Sequence, residues 1–376
     1  MAIRVYFLEG NLPVYAYMRQ YPPEGVEYIV PTRGEISRYY SGRMHIIRKL
    51  AHIFNRLLGI PRIMRVNPDA DLIHTNRGIL LASKAPFVMD LDYFTAFTSF
   101  DPVPMNWWHT RRIIVRFLSS PKCKHILSWS MAAQKALRNY LEREPRAGDV
   151  FEKMAVLYPS VPVRERAKQH EPPVVLFSAS LFREKGGPEF LEAARRLSER
   201  YDVHFIVKAD VPPAYKRRYN LPNIVYRPYS SEVLPHAEYV NKYFSAADIY
   251  AYPTFMDIFG LGVLDAFSVG IPVVATDVFA VPEMVIDGET GLLIHVPGKY
   301  RWHDSRGFWN PGYNLPNRPM EWAVQELVEQ LSTLIEDTSL RKKLGKNAFR
   351  EVESGKFSIP VRNRKLREAY ESALQR

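Results

Sequence analysis

Apolar residues fall along this chain in two alternating rhythms. One is a set of short runs bounded by turn residues: Ile3–Leu8, Tyr28–Pro31, Asp71–His74, Pro86–Leu91, His125–Ser128 and Lys153–Pro162. Runs of this length with turn signals on both sides predict buried strands. The other rhythm has the helical period. Over residues 41–59, Ile47, Leu50, Ala51, Phe54, Leu57 and Leu58 share one face, while Arg48, Lys49, His52 and Arg56 share the other. Met131–Glu142 is a second such helix, with Ser130 as its cap. Strands that alternate with helices predict a parallel α/β sheet.

The same plan restarts after RERAKQHEPP (164–173), a polar stretch ending in two prolines that reads as a linker. Strands are expected at 174–180, 203–209, 224–228, 247–252 and 271–275, with helices over Pro188–Arg200 and Ala237–Ala246. A length of 376 residues is ample for two cores. The expected organisation is therefore α/β throughout, as two Rossmann-like domains, 1–163 and 174–355, sharing a cleft, with a final helix over 356–376.

Pro253–Leu293 is the stretch with the clearest chemistry. A strand ends at Tyr252, a short polar loop carries Asp257, and Gly260 and Gly262 open a helix that holds Asp265 and closes at Gly270. A helix start presents free backbone N–H groups and a partial positive charge, which suits a phosphate. On one regular helix, two acids eight residues apart would stand about 80° apart. With Asp257 in the loop and Asp265 on the helix, they flank a ligand at the helix start instead. The plain alternative is two solvated acids around a tight turn.

Composition narrows the classes. A single cysteine, Cys123, leaves no disulfide framework and no cysteine metal cluster. No apolar run approaches the roughly 20 residues of a spanning helix, and the N-terminus enters a strand-like run without the plan of a signal peptide. The expected location is cytoplasmic. The formal charge is +11, and residues 1–165 hold 23 Lys and Arg against 14 Asp and Glu, so nearly all of the excess lies in the first half. That excess serves solubility or an acidic partner. Trp107 and Trp108 beside Arg111, Arg112 and Arg116 fit either a core helix or an interfacial belt. The 41–59 helix likewise reads as packed on a sheet or laid on a membrane surface. Residues 297–319 hold four Pro, two Trp, two Tyr and one Phe with little periodicity, a long loop of a kind that is uncommon and often functional.

Taken in order, these features resemble the retaining glycosyltransferases of the GT-B fold, in particular the family 4 group (glycosyl transferases group 1). The family hallmark stands here as Asp257-Ile258-Phe259-Gly260-Leu261-Gly-Val-Leu-Asp265-Ala266, then Gly270-Ile-Pro272-Val273-Val-Ala275. Pro282-Glu283 through Gly291 matches the next family segment, and Ser180-Leu-Phe-Arg183-Glu-Lys185-Gly186 matches a weaker one. The match is strong over about 170–295 and loose elsewhere.

The resemblance implies two Rossmann-like domains facing each other across a cleft, with the last helix crossing back to the first. It implies transfer of a hexose from a GDP- or UDP-sugar, with retention, to a glycan or lipid-linked acceptor, and with no bound metal or other cofactor. By resemblance Lys185, with the helix start at Ile258, Phe259, Gly260 and Leu261, faces the diphosphate. Asp257 contacts donor-sugar hydroxyls, Asp265 the ribose, and Gly10, in the glycine-containing loop of the first domain, is expected to contact the donor as well. The family arginine is replaced by Ser180, and Arg183 is expected to substitute for it. Both family glutamates are shortened to aspartate, and a Gly-Gly before Glu283 is replaced by Phe279-Ala280. The family histidine is absent, and Asp92 falls nearest its position, as a base, a hydroxyl ligand or a helix cap. Asp69-Ala-Asp71 and Asp90-Leu-Asp92 are not expected to bind metal. Peripheral contact with anionic lipid through the first domain is expected, and nucleic acid is not. A sugar-nucleotide epimerase or phosphorylase of the same fold, or a degenerate binding protein, stands as the alternative.

Overall fold

A computed structural model describes residues 2–31, 58–165, 169–231 and 233–375. The helix expected over 41–59 lies outside these residues except for its last two positions. The chain divides into two compact units, Met1–Pro159 with Pro360–Arg376, and Ser160–Ile359.

The strands of the first unit are β1 Ile3–Phe7, β2 Val26–Ile29, β3 Ile63–Arg65, β4 Leu72–Thr75, β5 Leu80–Ala82, β6 Phe87–Leu91, β7 Cys123–Ser128 and β8 Met154–Val156. Its helices include α1 Pro13–Gln20, α2 Trp108–Leu118, α3 Met131–Leu141 and α4 Ala147–Phe151. The main sheet runs β2-β1-β4-β6-β7-β8, and all its pairs are parallel. β3 pairs with β5 in a small separate ladder that the short, polar-flanked IMR run did not reveal. β4 and β6 are buried on both faces, as parallel strands covered on both sides must be. Ser130 caps α3 by accepting from the Ala133 amide at 3.0 Å.

The second unit contains β9 Val174–Ala179, α5 Gly187–Ser198, β10 His204–Ala209, α6 Pro213–Arg218, β11 Ile224–Arg227, α7 His236–Tyr243, β12 Ile249–Tyr252, α8 Leu261–Ser268, β13 Val273–Thr276, α9 Val281–Met284, β14 Gly291–Ile294, α10 Glu321–Glu336 and α11 Thr338–Glu353. Its parallel sheet runs β11-β10-β9-β12-β13-β14. Phe177, Phe190 and Phe205 meet at ring distances of 5.0 and 5.9 Å between β9, α5 and β10. Burying each such ring contributes about 2–3 kcal/mol, and this cluster holds α5 on the sheet.

The described residues on either side of 166–168 pack on this unit. Arg164 N donates to Ser268 O at 2.8 Å, and the buried Asp248 accepts from the amides of His170 and Val174 at 3.3 and 3.0 Å. The last helix, α12 Ile359–Gln375, packs on the first unit. There Tyr370 OH lies 2.6 Å from His74 Nδ1 and 3.1 Å from Tyr28 OH, and His74 Nε2 stands 3.1 Å from Asp90 Oδ1. Asp90 is thus part of a buried structural network. Asp69 and Asp71 both face Arg4, through its side chain and its amide respectively.

Candidate active site

Strand order sets where a ligand can bind in the second unit. The chain builds outward from β9 to β10 and β11, then returns to lay β12 on the other side of β9. Loops after β9 and β12 therefore diverge at their carboxyl ends, and that crevice is where open α/β sheets take their ligands. Lys185 sits in the first loop and Asp257 in the second.

Backbone geometry brings the two together. Gly186 has φ +76°, and a Cβ there would fall 2.1 Å from Pro253 O. Only glycine lets the β9 loop press so closely on the start of the β12 loop. Glu184 O then accepts from the amides of Phe255 and Met256 at 2.8 and 3.2 Å. Lys185 Nζ donates to Met256 O at 2.8 Å and to Asp257 Oδ2. Tyr252 OH donates to the same carboxylate oxygen, and the Phe259 amide donates to Oδ1 at 3.1 Å. Burial pushes the Asp257 carboxyl up. The Lys185 charge, with hydrogen bonds from Lys185, Tyr252 and Phe259, outweighs it and holds the carboxyl below its usual range. An ionised carboxylate has about four acceptor sites, so three filled sites leave room for one further donor.

Tyr252 was not found by sequence reasoning. Its only signal is strand alternation, which puts Tyr250 and Tyr252 on one face of β12 beneath the helix start. Their rings stack at 5.6 Å. A Cβ on Gly262 would stand 2.6 Å from the Tyr250 hydroxyl, and one on Gly260, at φ +99°, 3.3 Å from the Tyr252 ring. The two glycines that the sequence suggested for phosphate approach thus also make room for two tyrosines. No side chain caps the first turn of α8. Phe259 is buried, while Ile258 and Leu261 are half-buried.

Asp265 lies on α8, as expected, and is buried, with His236 Nε2 3.2 Å from its Oδ2. His236 comes from α7, 29 residues earlier, and nothing in the local sequence foretells the pair. Arg183 is placed differently from Lys185. Its guanidinium donates to the carbonyls of Leu315 and Pro316, at the end of the aromatic loop.

In the first unit the equivalent divergence falls between the loops after β1 and β4. A Cβ on Gly10 would lie 2.5 Å from the Tyr15 ring, and Asn76 Nδ2 donates to Leu8 O at 2.5 Å. Asp92, after β6, is buried. It accepts from Arg77 Nε at 2.7 Å and from the Tyr93 amide at 2.9 Å. Burial pushes this carboxyl up against the pull of Arg77. Asp92 does not cap the short helix that follows. Arg77, at φ +38° and 4.6 Å above the Phe100 ring, is a second residue the sequence did not single out.

Comparison with known proteins points to one family. The profile of the family Glycosyl transferases group 1 matches residues 172–300, which contain Lys185, Asp257 and Asp265. The second unit carries a group 1 glycosyl transferase domain. Among curated relatives, D-inositol 3-phosphate glycosyltransferase of Paenarthrobacter aurescens is 27% identical over 188 residues, 48% of this chain and 40% of that protein. Alpha-D-kanosaminyltransferase of Streptomyces kanamyceticus is 23% identical over 211 residues, 55% and 48% of the two lengths. The chain therefore spans less than half the length of these relatives. Among solved structures, Anabaena HepE in complex with UDP and glucose superposes with TM-score 0.60 at 16% identity, over 99% of this chain and 100% of that one. Sucrose-phosphate synthase of Thermosynechococcus elongatus gives 0.62 at 14% identity, over 99% and 98%. The fold is GT-B, with two Rossmann-like units.

Proposed function

We propose that the protein is a glycosyltransferase that moves a hexose from a UDP- or GDP-sugar to a glycan or lipid-linked acceptor with retention at the anomeric carbon. The observation that carries this reading is the Lys185–Asp257–Tyr252 constellation at the crevice between β9 and β12 of a group 1 domain. HepE, which shares the fold, has been solved with UDP and with UDP-glucose. In the proposed reaction the bond from the anomeric carbon to the diphosphate breaks. The acceptor oxygen bonds to that carbon on the same face, and its proton passes to the departing phosphate. Lys185 offsets the charge that builds on the diphosphate, Asp257 takes a sugar hydroxyl, and Asp265, oriented by His236, takes the ribose diol. With cationic groups serving the diphosphate, transfer is expected to persist in EDTA. A thermal-shift panel of nucleotide sugars tests the donor site, because the correct donor stabilises by mass action. Product analysis with labelled donor follows. Release of nucleotide with no sugar transferred, or no shift with any donor, would sink the reading.

Peripheral membrane contact is proposed on a separate observation in the first unit. The sequence pair Trp107–Trp108 is split by the fold. A Cβ on Gly59 would lie 2.3 Å from the Trp107 ring, which is half-buried, whereas Trp108 is 67% exposed with Arg112 5.3 Å from its ring. Leu58 and Val103, also exposed, lie on the adjoining turns, and His109 Nε2 lies 2.8 Å from Leu58 O. Apolar side chains with arginine beside a tryptophan suit an anionic lipid surface. Binding to vesicles containing phosphatidylserine should release at high salt. Equal binding to purely zwitterionic vesicles would refute electrostatic docking. Among the described residues, no helix is long and apolar enough to cross a membrane.

A further inference from the structure

The segment 297–319 lies almost wholly beyond the family match, and its attachments place it beside the donor crevice. Loops after β9, β12 and β13 stand side by side at the carboxyl edge of the sheet, with the Asp257 loop in the middle. The segment is anchored on both flanking loops. On the β9 side, Arg183 donates to Leu315 O and Pro316 O. On the β13 side, the Phe279 amide donates to His303 Nε2 at 3.2 Å, so the His303 proton sits on Nδ1, 3.0 Å from Asp304 O. Burial lowers the His303 pKa, which favours this neutral form. Arg301 grips both Asp277 oxygens at 2.7 Å, and the Met320 amide donates to buried Glu189 at 3.1 Å.

Between these anchors the chain doubles back, with His303 bridged to Trp309. Trp309 is 40% exposed. It is backed by Trp302 at 6.2 Å and Tyr313 at 5.7 Å, and Trp302 in turn packs on Phe279 at 5.1 Å. Phe279 holds φ +45°, a conformation that favours glycine, at a position where the family resemblance expects glycine. The Tyr313 hydroxyl is buried and makes no hydrogen bond among the described residues. Asp304 and Arg306 pair at 3.1 Å beside this turn.

A half-exposed indole packed against two aromatic rings, with charged groups close by, matches the chemistry of a pyranose. Such a ring has an apolar C–H face and a rim of hydroxyls, and aromatic walls with a few placed polar groups are how such sites are built. We infer that residues 297–319 form a sugar subsite, with Trp309 as the stacking platform for one pyranose ring. The inference rests on the glycosyltransferase reading for the identity of the neighbouring crevice. The ring belongs either to the donor or to a glycan acceptor, and the two leave different signatures.

Trp309→Ala and Trp309→Tyr are compared with the wild type by calorimetry. The probes are UDP, GDP, the nucleotide sugar giving the largest thermal shift, and a set of methyl glycopyranosides. For a donor ring, Trp309→Ala loses about tenfold in affinity for the nucleotide sugar but none for the bare nucleotide, and Trp309→Tyr restores most of it. For an acceptor ring, the loss appears with a methyl glycoside alone. Unchanged affinity for every sugar-bearing probe overturns the subsite, as does an equal loss for bare nucleotide together with a lowered Tm. Absence of any nucleotide binding by the wild type would instead remove the donor-site reading, while the methyl glycosides would still test Trp309.

Discussion

Lys185→Met lowers kcat by about 10²–10³ while the protein remains folded. Methionine keeps the length of the side chain and removes its charge, so the loss reports the cation at the departing diphosphate. Removing one preorganised group that stabilises developing negative charge costs about 3–4 kcal/mol in the transition state. Lys185 is well placed for that role because Asp257, Met256 O and the β9–β12 loop contacts hold its ammonium at the crevice. Lys185→Arg keeps the charge, but its planar fork needs different partners and should recover only part of the rate. Single-turnover transfer with saturating donor is the measurement. A Lys185→Met rate within a few-fold of wild type would remove the lysine from the chemistry.

The two acids should separate into different kinetic parameters. Asp257→Ala abolishes transfer, whereas Asp265→Ala raises the nucleotide Kd by about 10–100-fold and leaves most of kcat, because it removes one or two hydrogen bonds to a charged acceptor. Calorimetry with the bare nucleotide and rates at saturating donor distinguish them, and full activity in both variants would mean that the motif is misassigned. Asp257→Asn carries a stability signature as well. It replaces the charged partner of Lys185, only 14% exposed, by a neutral amide, at a cost of about 2 kcal/mol. The Asp257 carboxyl is held below its usual range in the folded state. Its stabilisation is therefore fully present above the unfolded carboxylate value, about pH 4, and is lost only as pH falls through the lower folded value. The Tm gap between wild type and Asp257→Asn should hold from pH 7 down to about pH 5 and close in stronger acid. The Asp257→Asn variant should also lose the acceptor strength that Tyr252 OH now satisfies.

Much of this molecule is legible in its sequence. The βαβ order, the two parallel sheets, Asp257 in a loop with Asp265 on the following helix, and the Ser130 cap all follow from local rules. These are period, turn chemistry and capping, which act within a few residues. Helix α12 was legible as a helix, and its seat against His74 and Tyr28 was only suggested by resemblance.

What the tertiary structure alone decided is who meets whom across long separations. Lys185 and Asp257 are 72 residues apart and meet because β9 and β12 are neighbours in the sheet. Tyr252 becomes part of the site because strand alternation turns it up under two glycines. His236 finds Asp265, Arg77 finds Asp92, and the aromatic loop reaches the strand ends on both sides of Asp257. None of these has a local signature, since sheet order fixes them and sheet order is set by the packing of whole cores. The sequence determined the parts and the chemistry of the acids. The order of strands decided which partners would tune that chemistry.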